Sequence, residues 1–388
     1  MLSCLGISKD CKSYLNLKNQ VVVLIKGKKL YLRVFLFASC FCLAFYVNTP
    51  PVNATSSINL TTVRNTDTSF EKYTLGPFID RLVFKMNYTN ETELINALKS
   101  GEINMTIERM QKYLDELITS SDIDYMVGNS LGFNYLGFNL RYLPFNSSTY
   151  NGIDIGKVLR KAIAYSIDKD KLMRDVLYGW GTPIDSVIHT GYGVWHNSNV
   201  TKYEFNQTKA IELLDAANIV DTDSDGIRND PRTGANIEFD IEHPTKEYDS
   251  NRYAMGVMIA EWLQEIGINA RSKPTEFIKI VYDAFVYANF TACIIGWGIG
   301  DIIPDTLYWF FHSSQDVLVN PNGLNFPGYN NSYYDTLAEI VVTSLNETEV
   351  KDAVFTAQEI LTDDLPYVVL SRLKYAIPYL SLIHISEP

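Results

Sequence analysis

The sequence predicts an α/β fold, because short strand-like segments alternate with amphipathic helical segments along the chain from about residue 80 onward. Two further observations agree. At 388 residues, 46% hydrophobic and 20% charged, the chain can bury a substantial core. Several candidate helices also begin after Asn or Asp and end at Gly, as capping chemistry favours.

In chain order, residues 81–86 alternate as a strand and residues 91–99 carry helical spacing closed by Gly101. Residues 103–107 read as the next strand, giving a βαβ-like opening. Residues 136–140 form a strand within Gly132 to Leu140, GFNYLGFNL. Its alternation places Phe133, Tyr135, Gly137 and Asn139 on one face and Asn134, Leu136 and Phe138 on the other. Residues 156–165 are helical, with Val158, Leu159, Ala162 and Ile163 at the apolar positions. Asp168 caps a second helix whose apolar positions are Leu172, Met173, Val176 and Leu177, and Gly179 closes it. A helix over 207–217 precedes the acidic loop 221–230, a strand over 237–242, and a helix over 251–266 that ends at Gly267. Residues 292–296 have the composition of a buried strand, 347–361 form a long amphipathic helix, and 367–370 a last apolar strand.

Composition and motifs exclude several function classes. A net charge of -12 disfavours nucleic acid or anionic lipid as the main partner, since tracking phosphates needs clustered Lys and Arg. Cys4, Cys11, Cys40 and Cys42 lie near the start and only Cys293 falls in the body, which argues against a disulfide framework or a structural zinc site. No GxSxG, HExxH or GxxxxGK[ST] motif occurs, so no enzyme chemistry is expected. His189, His196, His243, His312 and His384 are scattered without chelating pairs.

Residues 1–54 resemble a signal peptide. A basic cluster from Lys26 to Lys29 precedes an apolar run over 34–47, shorter than the roughly 20 residues of a membrane span, and Val52-Asn53-Ala54 offers a small-residue cleavage site. The alternative is foreign or mistranslated sequence. Asn53, Asn59, Asn87, Asn90, Asn104, Asn146, Asn199, Asn206, Asn289, Asn330 and Asn346 each begin an Asn-x-Ser/Thr triplet. About four would arise by chance, so the excess favours an exported, glycosylated protein over a merely Asn- and Thr-rich one.

Several segments, in order, resemble the family-5 extracellular solute-binding proteins of ABC importers, the oligopeptide, dipeptide and nickel binders. Leu94 with Lys99-Ser100-Gly101-Glu102-Ile103 is similar to the family's "L..GeiD" step, with Asn104 in place of Asp. Phe138-Asn139-Leu140 is similar to "fNl", and Val158-Leu159-Arg160-Lys161-Ala162-Ile163-Ala164-Tyr165-Ser166-Ile167-Asp168 to "vRqAiayaiD". Gly179 to Pro183 resembles "G.g.pa", Glu261-Trp262-Leu263 through Ile266-Gly267-Ile268 resembles "qqLkkiGI", Gly296-Trp297 with Pro304-Asp305 resembles "GW....dP", and Glu359-Ile360-Leu361 through Leu365-Pro366 resembles "qeiL.ed.P".

The resemblance covers about residues 75–379. It implies a type II periplasmic-binding fold of two α/β lobes that close on a ligand about a hinge, and delivery of that ligand to membrane permease subunits. It places part of lobe I at 75–190 and lobe II at 191–375. The family's first half has no counterpart before residue 75, and residues 380–388, LSLIHISEP, end in a stretch that resembles a translated adapter. The first lobe is therefore expected to be incomplete, with 380–388 a non-native tail. The implied location is extracellular, cell-surface or periplasmic, with membrane association through the transporter or an N-terminal anchor.

The same resemblance implies that Trp297 and an acid after it, Asp301 or else Asp305, receive a peptide's α-ammonium, a charge-assisted contact that orients the ligand. Alternatively Trp297 packs in the core and Asp301 caps the helix leading to Tyr308. An extended peptide would pair with protein strands, with Asn139 and Tyr135 as lining candidates unless the aromatic residues are core. Oligosaccharide is the rival ligand, because Trp180, Trp195, Trp297 and Trp309 would suit stacking on sugar rings. Nickel and a non-transport surface glycoprotein are the remaining alternatives. Asp221, Asp223 and Asp225 stand at alternating positions before Gly226, like the opening of a calcium loop, with Asp230 as a further oxygen donor because Arg232 occupies the place of the usual Glu. One structural Ca²⁺ is therefore a candidate, against a plain solvated turn, and no other cofactor is required.

Overall fold

The structure, a computed structural model, describes residues 55–59, 81–85, 88, 90–106 and 113–381. The signal-like segment before Thr55 and residues 382–388 lie outside the described residues. Chain order runs β1 (Thr55–Asn59), β2 (Arg81–Lys85), α1 (Glu91–Lys99), α2 (Leu114–Leu117), β3 (Ile123–Phe138), β4 (Thr149–Tyr150), β5 (Ile153–Asp154) and α3 (Ile155–Tyr165). Next come α4 (Lys169–Lys171), which runs on as a π-helix over Leu172–Val176, β6 (Gly181–Pro183), α5 (Gln207–Ala216), β7 (Glu238–Pro244), α6 (Ser250–Glu265), β8 (Asn269–Thr275) and α7 (Phe277–Phe285). The chain finishes with β9 (Ala292–Trp297), α8 (Thr306–Phe311), α9 (Ser332–Thr343), α10 (Glu347–Asp364) and β10 (Tyr367–Leu380). Among the described residues no helix is long and apolar enough to cross a membrane.

The described residues form two compact units, Asn129–Leu373 and a smaller one made of the residues up to Gly128 with those from Lys374 onward. In the smaller unit β1 and β2 pair antiparallel. Asn90 starts α1 by accepting the Glu93 amide at 2.9 Å, and Ile95 and Leu98 bury against Leu117 and Ile123. The expected strand over 103–107 is not formed among the described residues. Met105 makes only an isolated bridge to Tyr379, because its hydrogen bonding stops at Thr106 N to Pro378 O and Leu380 N to Asn104 O.

A six-stranded sheet has the order β6-β10-β3-β9-β7-β8. β3 and β9 are antiparallel, with Phe133 opposite Trp297 and Phe138 opposite Ala292, while β7 runs parallel to both β9 and β8. Alternation on β3 holds as expected: Leu136 and Phe138 join a core with α3 and α6, and Phe133 and Tyr135 join a second core with α7 to α10. Residues 129–190 thereby share both cores with residues 191–373, a grouping that does not divide at residue 190. β8 escapes sequence reading because it is an edge strand with only Ala270 and Thr275 buried, so its apolar alternation is faint. β3 and β10 also run longer than expected, since the far end of each carries no regular alternation.

Two buried guanidinium groups pin the loops to this frame. Arg160, 1% exposed, gives Nε to the Asp364 carbonyl at 2.9 Å and Nη1 to the Phe145 carbonyl, tying α3 to the end of α10. Its burial pushes its pKa down to about 10, a desolvation that the charges of Asp154 and Asp364 partly offset. Arg232 grips Asp230 in two places, Nε to Oδ1 at 2.9 Å and Nη2 to Oδ2 at 2.6 Å, and also bonds Pro144 O, Asn146 O and Ser148 Oγ. This pair is buried at 8% and 5% side-chain exposure.

Because removing one partner leaves a buried charge uncompensated, Arg232→Ala should destabilise the protein by about 3–5 kcal/mol in urea denaturation. Gly256 in α6 should tolerate no side chain, since a Cβ there would stand 2.1 Å from the His243 ring. Gly256→Ala is expected to lower stability by about 1–3 kcal/mol rather than raise it, as helix propensity alone would, and a thermal melt decides the sign.

Candidate functional site

β9 ends at Trp297, where the parallel strands of an α/β sheet commonly present ligand-binding groups. The indole is half-buried. It stacks on Phe310 of α8 with centroids 4.1 Å apart at 11°, and Phe285 of α7 meets its edge at 5.5 Å. Behind it β3 comes close enough that a Cβ at Gly132 would lie 2.1 Å from the Trp297 carbonyl oxygen. Trp297 is thus a wall fixed by core aromatics with part of its ring left to solvent.

Two carboxylates follow it. Asp301 is exposed and accepts the Ile303 amide at 3.1 Å, so it does not cap α8. The residue at that N-cap position is Asp305, whose Oδ2 accepts the Trp309 indole N–H at 3.2 Å. Burial holds the Asp305 carboxyl above the usual carboxylate range, and the Asp301 charge adds to the rise. Next to them the buried hydroxyls of Tyr192 and Thr306 adjoin each other, and burial followed by the two aspartates pushes Tyr192 ionisation up. Two coupled carboxylates thus follow the aromatic wall in the chain, one of them on the helix whose Phe310 forms part of that wall, a pairing suited to a cation.

The two strand candidates stand elsewhere. Tyr135 is fully buried and stacks on Tyr367 at 4.1 Å, so it is core. Asn139, 1% exposed, spends its amide nitrogen on the carbonyls of Ala288 and Phe290 at 2.9 and 3.0 Å and its oxygen on Arg141. Tyr135 is therefore the core residue of the two alternatives, while the Asn139 amide holds β3 against its neighbours and also borders a cavity.

A polar cavity of about 320 Å³ opens near the start of β9, lined by Asn139, Asp240, Glu242, Lys273, Asp283 and Asn289 among others. Thr291 on its rim is six residues before Trp297, roughly 20 Å along a strand. Lys273 bridges Asp240 at 3.2 Å and Glu242 at 3.0 Å, and the Glu242 hydrogen bond leads in raising the lysine's pKa. Buried Glu242 Oε2 has no hydrogen-bond partner among the described residues.

A family model described as "Bacterial extracellular solute-binding proteins, family 5 Middle" matches residues 59–318, more than half of the chain. The chain belongs to this family. The oligopeptide-binding protein AppA of Bacillus subtilis is 24% identical over 303 residues, covering 76% of this chain and 51% of AppA. The di/tripeptide-binding protein 1 of Pseudomonas aeruginosa is 21% identical, covering 79% of this chain and 52% of that protein. The crystal structure of NikZ from Campylobacter jejuni in complex with Ni(L-His) superposes with a TM-score of 0.64 at 21% identity, over 78% of this chain and 57% of NikZ. These likenesses establish the type II periplasmic-binding class of fold, and the chain spans about half the length of the curated relatives it matches.

In this family-5 chain the acidic loop gathers Asp221, Asp223 and Asp225, with one carboxylate oxygen from each within 4.8 Å of the others. Asp230 is not among them, because Arg232 takes its carboxylate. Asp221 already accepts the amides of Ser224 and Gly226 at 2.7 and 2.9 Å, the Gly226 bond leading in lowering its pKa, and Asp225 accepts Ile227 N and Asn236 Nδ2. Three clustered side-chain oxygens are half or fewer of the six to eight that Ca²⁺ takes. Glu242, Lys273 and Tyr192 went unnoticed in the sequence. Only the period of two in residues 239–242, which sets Asp240 and Glu242 on one strand face, signals any of them.

His189 accepts Gly191 N on Nδ1 at 3.1 Å and meets Leu131 O through Nε2 at 2.9 Å, an arrangement that requires the neutral ring. Burial lowers its pKa to about 4, and burial also lowers that of His243. The unfolded chain takes up these protons near pH 6.5 while the folded one resists, so stability is full above that pH and should fall as pH drops toward 4, by at most about 1.4 kcal/mol per unit for His189. Urea midpoints at pH 7 and 5 should therefore differ less in His189→Asn than in the parent.

Proposed function

We propose that this chain is the extracytoplasmic substrate-binding part of an ABC importer, that it takes oligopeptides or dipeptides, and that it hands them to membrane permease subunits. It acts by binding rather than by breaking bonds. The observation that carries this reading is the coupled pair Asp301 and Asp305, which follows the half-open Trp297 ring in the chain, with Asp305 on the helix whose Phe310 stacks on that ring, a candidate place for a peptide's cationic amino terminus. The family membership and the peptide-binding names of AppA and the di/tripeptide-binding protein support it. The family supports an extracellular or periplasmic location, and cell-surface attachment through the transporter or an N-terminal anchor belongs to the same proposal.

Isothermal titration with short peptides, with the same peptides N-acetylated, with oligosaccharides and with Ni²⁺ separates the alternatives. Free-amine peptides are expected to bind, and acetylation or Asp301→Asn should weaken them by roughly 10–100-fold, the cost of about 1.5–3 kcal/mol for a charged hydrogen bond. Binding of sugars alone, or of Ni²⁺ alone, would overturn the peptide reading.

The raised Asp305 carboxyl gives a pH signature. Its negative charge is lost at a higher pH than an ordinary aspartate's as the solution is acidified, so peptide affinity should weaken on acidification earlier than an ordinary aspartate would make it. The drop should be smaller in Asp305→Asn, as read by the same titration.

A further inference from the structure

We infer that Asn199, Asn206, Asn330 and Asn346 are acceptors for Asn-linked glycans. This conclusion requires export and is independent of which ligand the protein binds. All four begin Asn-x-Ser/Thr triplets, and all four are exposed together with the hydroxyl residue two positions on, Thr201, Thr208, Ser332 and Thr348.

Burial separates the four acceptors from the asparagines that hold the interior together. Asn134, Asn139, Asn197, Asn229 and Asn325 are buried, and each donates its amide nitrogen to the protein, as in Asn325 to Tyr329 O at 2.8 Å and Asn197 to Glu359 at 2.9 Å. None of them begins a triplet. The four acceptors do the reverse: their amide nitrogens make no hydrogen bond within the described residues. At Asn206 and Asn346 only the oxygen is engaged, taking Lys209 N at 2.9 Å and Thr348 N at 3.1 Å as the N-caps of α5 and α10. A cap that uses Oδ1 holds the side chain in place and leaves Nδ2 on the outside.

The same criteria exclude three triplets, one of them at Asn289, whose hydroxyl partner Thr291 is half-buried. Asn146 is half-buried with its oxygen held by Arg232 and Ser148, and Thr106, the hydroxyl partner of Asn104, is buried.

The co-reactant is a lipid-linked oligosaccharide phosphate on the extracytoplasmic side of the membrane, used by a separate transferase. Nδ2 forms a bond to the anomeric carbon of the first sugar as the bond from that carbon to the phosphate oxygen breaks. The bonding pair leaves with the lipid phosphate, the amide sheds one proton to base, and nothing is oxidised or reduced. A glycan at each position would be a bulky, solvated surface group.

The test is peptide mass spectrometry, with electron-transfer fragmentation, of the protein isolated from the cells that make it. Saccharide mass increments are expected on Asn199, Asn206, Asn330 and Asn346, with Asn104, Asn146 and Asn289 bare. Bare peptides at all four sites overturn the assignment, and equal occupancy of Asn104, Asn146 and Asn289 overturns the division by exposure. In the same cells, Thr208→Ala keeps the Asn206 cap and should lose the increment at Asn206, whereas Thr208→Ser keeps both. An increment that persists in Thr208→Ala shows that the triplet is not what is recognised and overturns the proposal for that site.

Discussion

The structure depends on the burial of the second half of β3 between two apolar layers. From Phe133 to Phe138 the strand has a core on each face, so its main-chain groups have no water to fall back on and must be satisfied at both edges. β9 supplies one edge in antiparallel register and β10 the other. Once these are fixed, β7 and β8 extend the sheet beyond β9, and the helices can only pack above and below. Polar side chains that enter this region are drawn into the same accounting: Asn134 reaches Ser371, and Asn139 closes the loop carbonyls of Ala288 and Phe290.

Residues that mark the family are mostly those that hold this frame. Within the segment from Val158 to Asp168, Arg160 lies buried beneath α10, Asp168 accepts the Lys171 amide to start the next helix, and Ser166 bonds back to Ala162 O. Gly179 and Gly267 adopt positive φ at helix ends, where only glycine is free of strain. Such positions are constrained by packing and caps whatever the protein binds. That is why the motifs speak clearly about the fold and say little about the ligand.

At the candidate site the sequence pointed to the end of β9, and the structure gives its residues unequal surroundings. Trp297 and the aspartates after it are near neighbours in the chain, and Asp305 rather than Asp301 stands at the start of α8. Tyr135 and Asn139 were separable from ligand contact only by their partners Tyr367, Ala288 and Phe290, which arrive from more than a hundred residues away. The cavity around Glu242 and Lys273 has the same character, since it needs β7, β8, α7 and the loop after α7 all at once.

The sequence by itself determined the α/β alternation, the starts and stops of α1, α3, α5 and α6 to within a residue, the start of α10, the two faces of β3 and the family. Each of these rests on periodicity, capping or short motifs, interactions that are complete within a few residues. Only the tertiary structure decided that Asp230 belongs to Arg232 and not to the acidic loop, that Met105 makes a bridge and no strand, and which asparagines keep their amide nitrogens free. Those outcomes depend on which distant group arrives at hydrogen-bonding distance, and that is fixed by the packing of the sheet and its helices rather than by any local pattern.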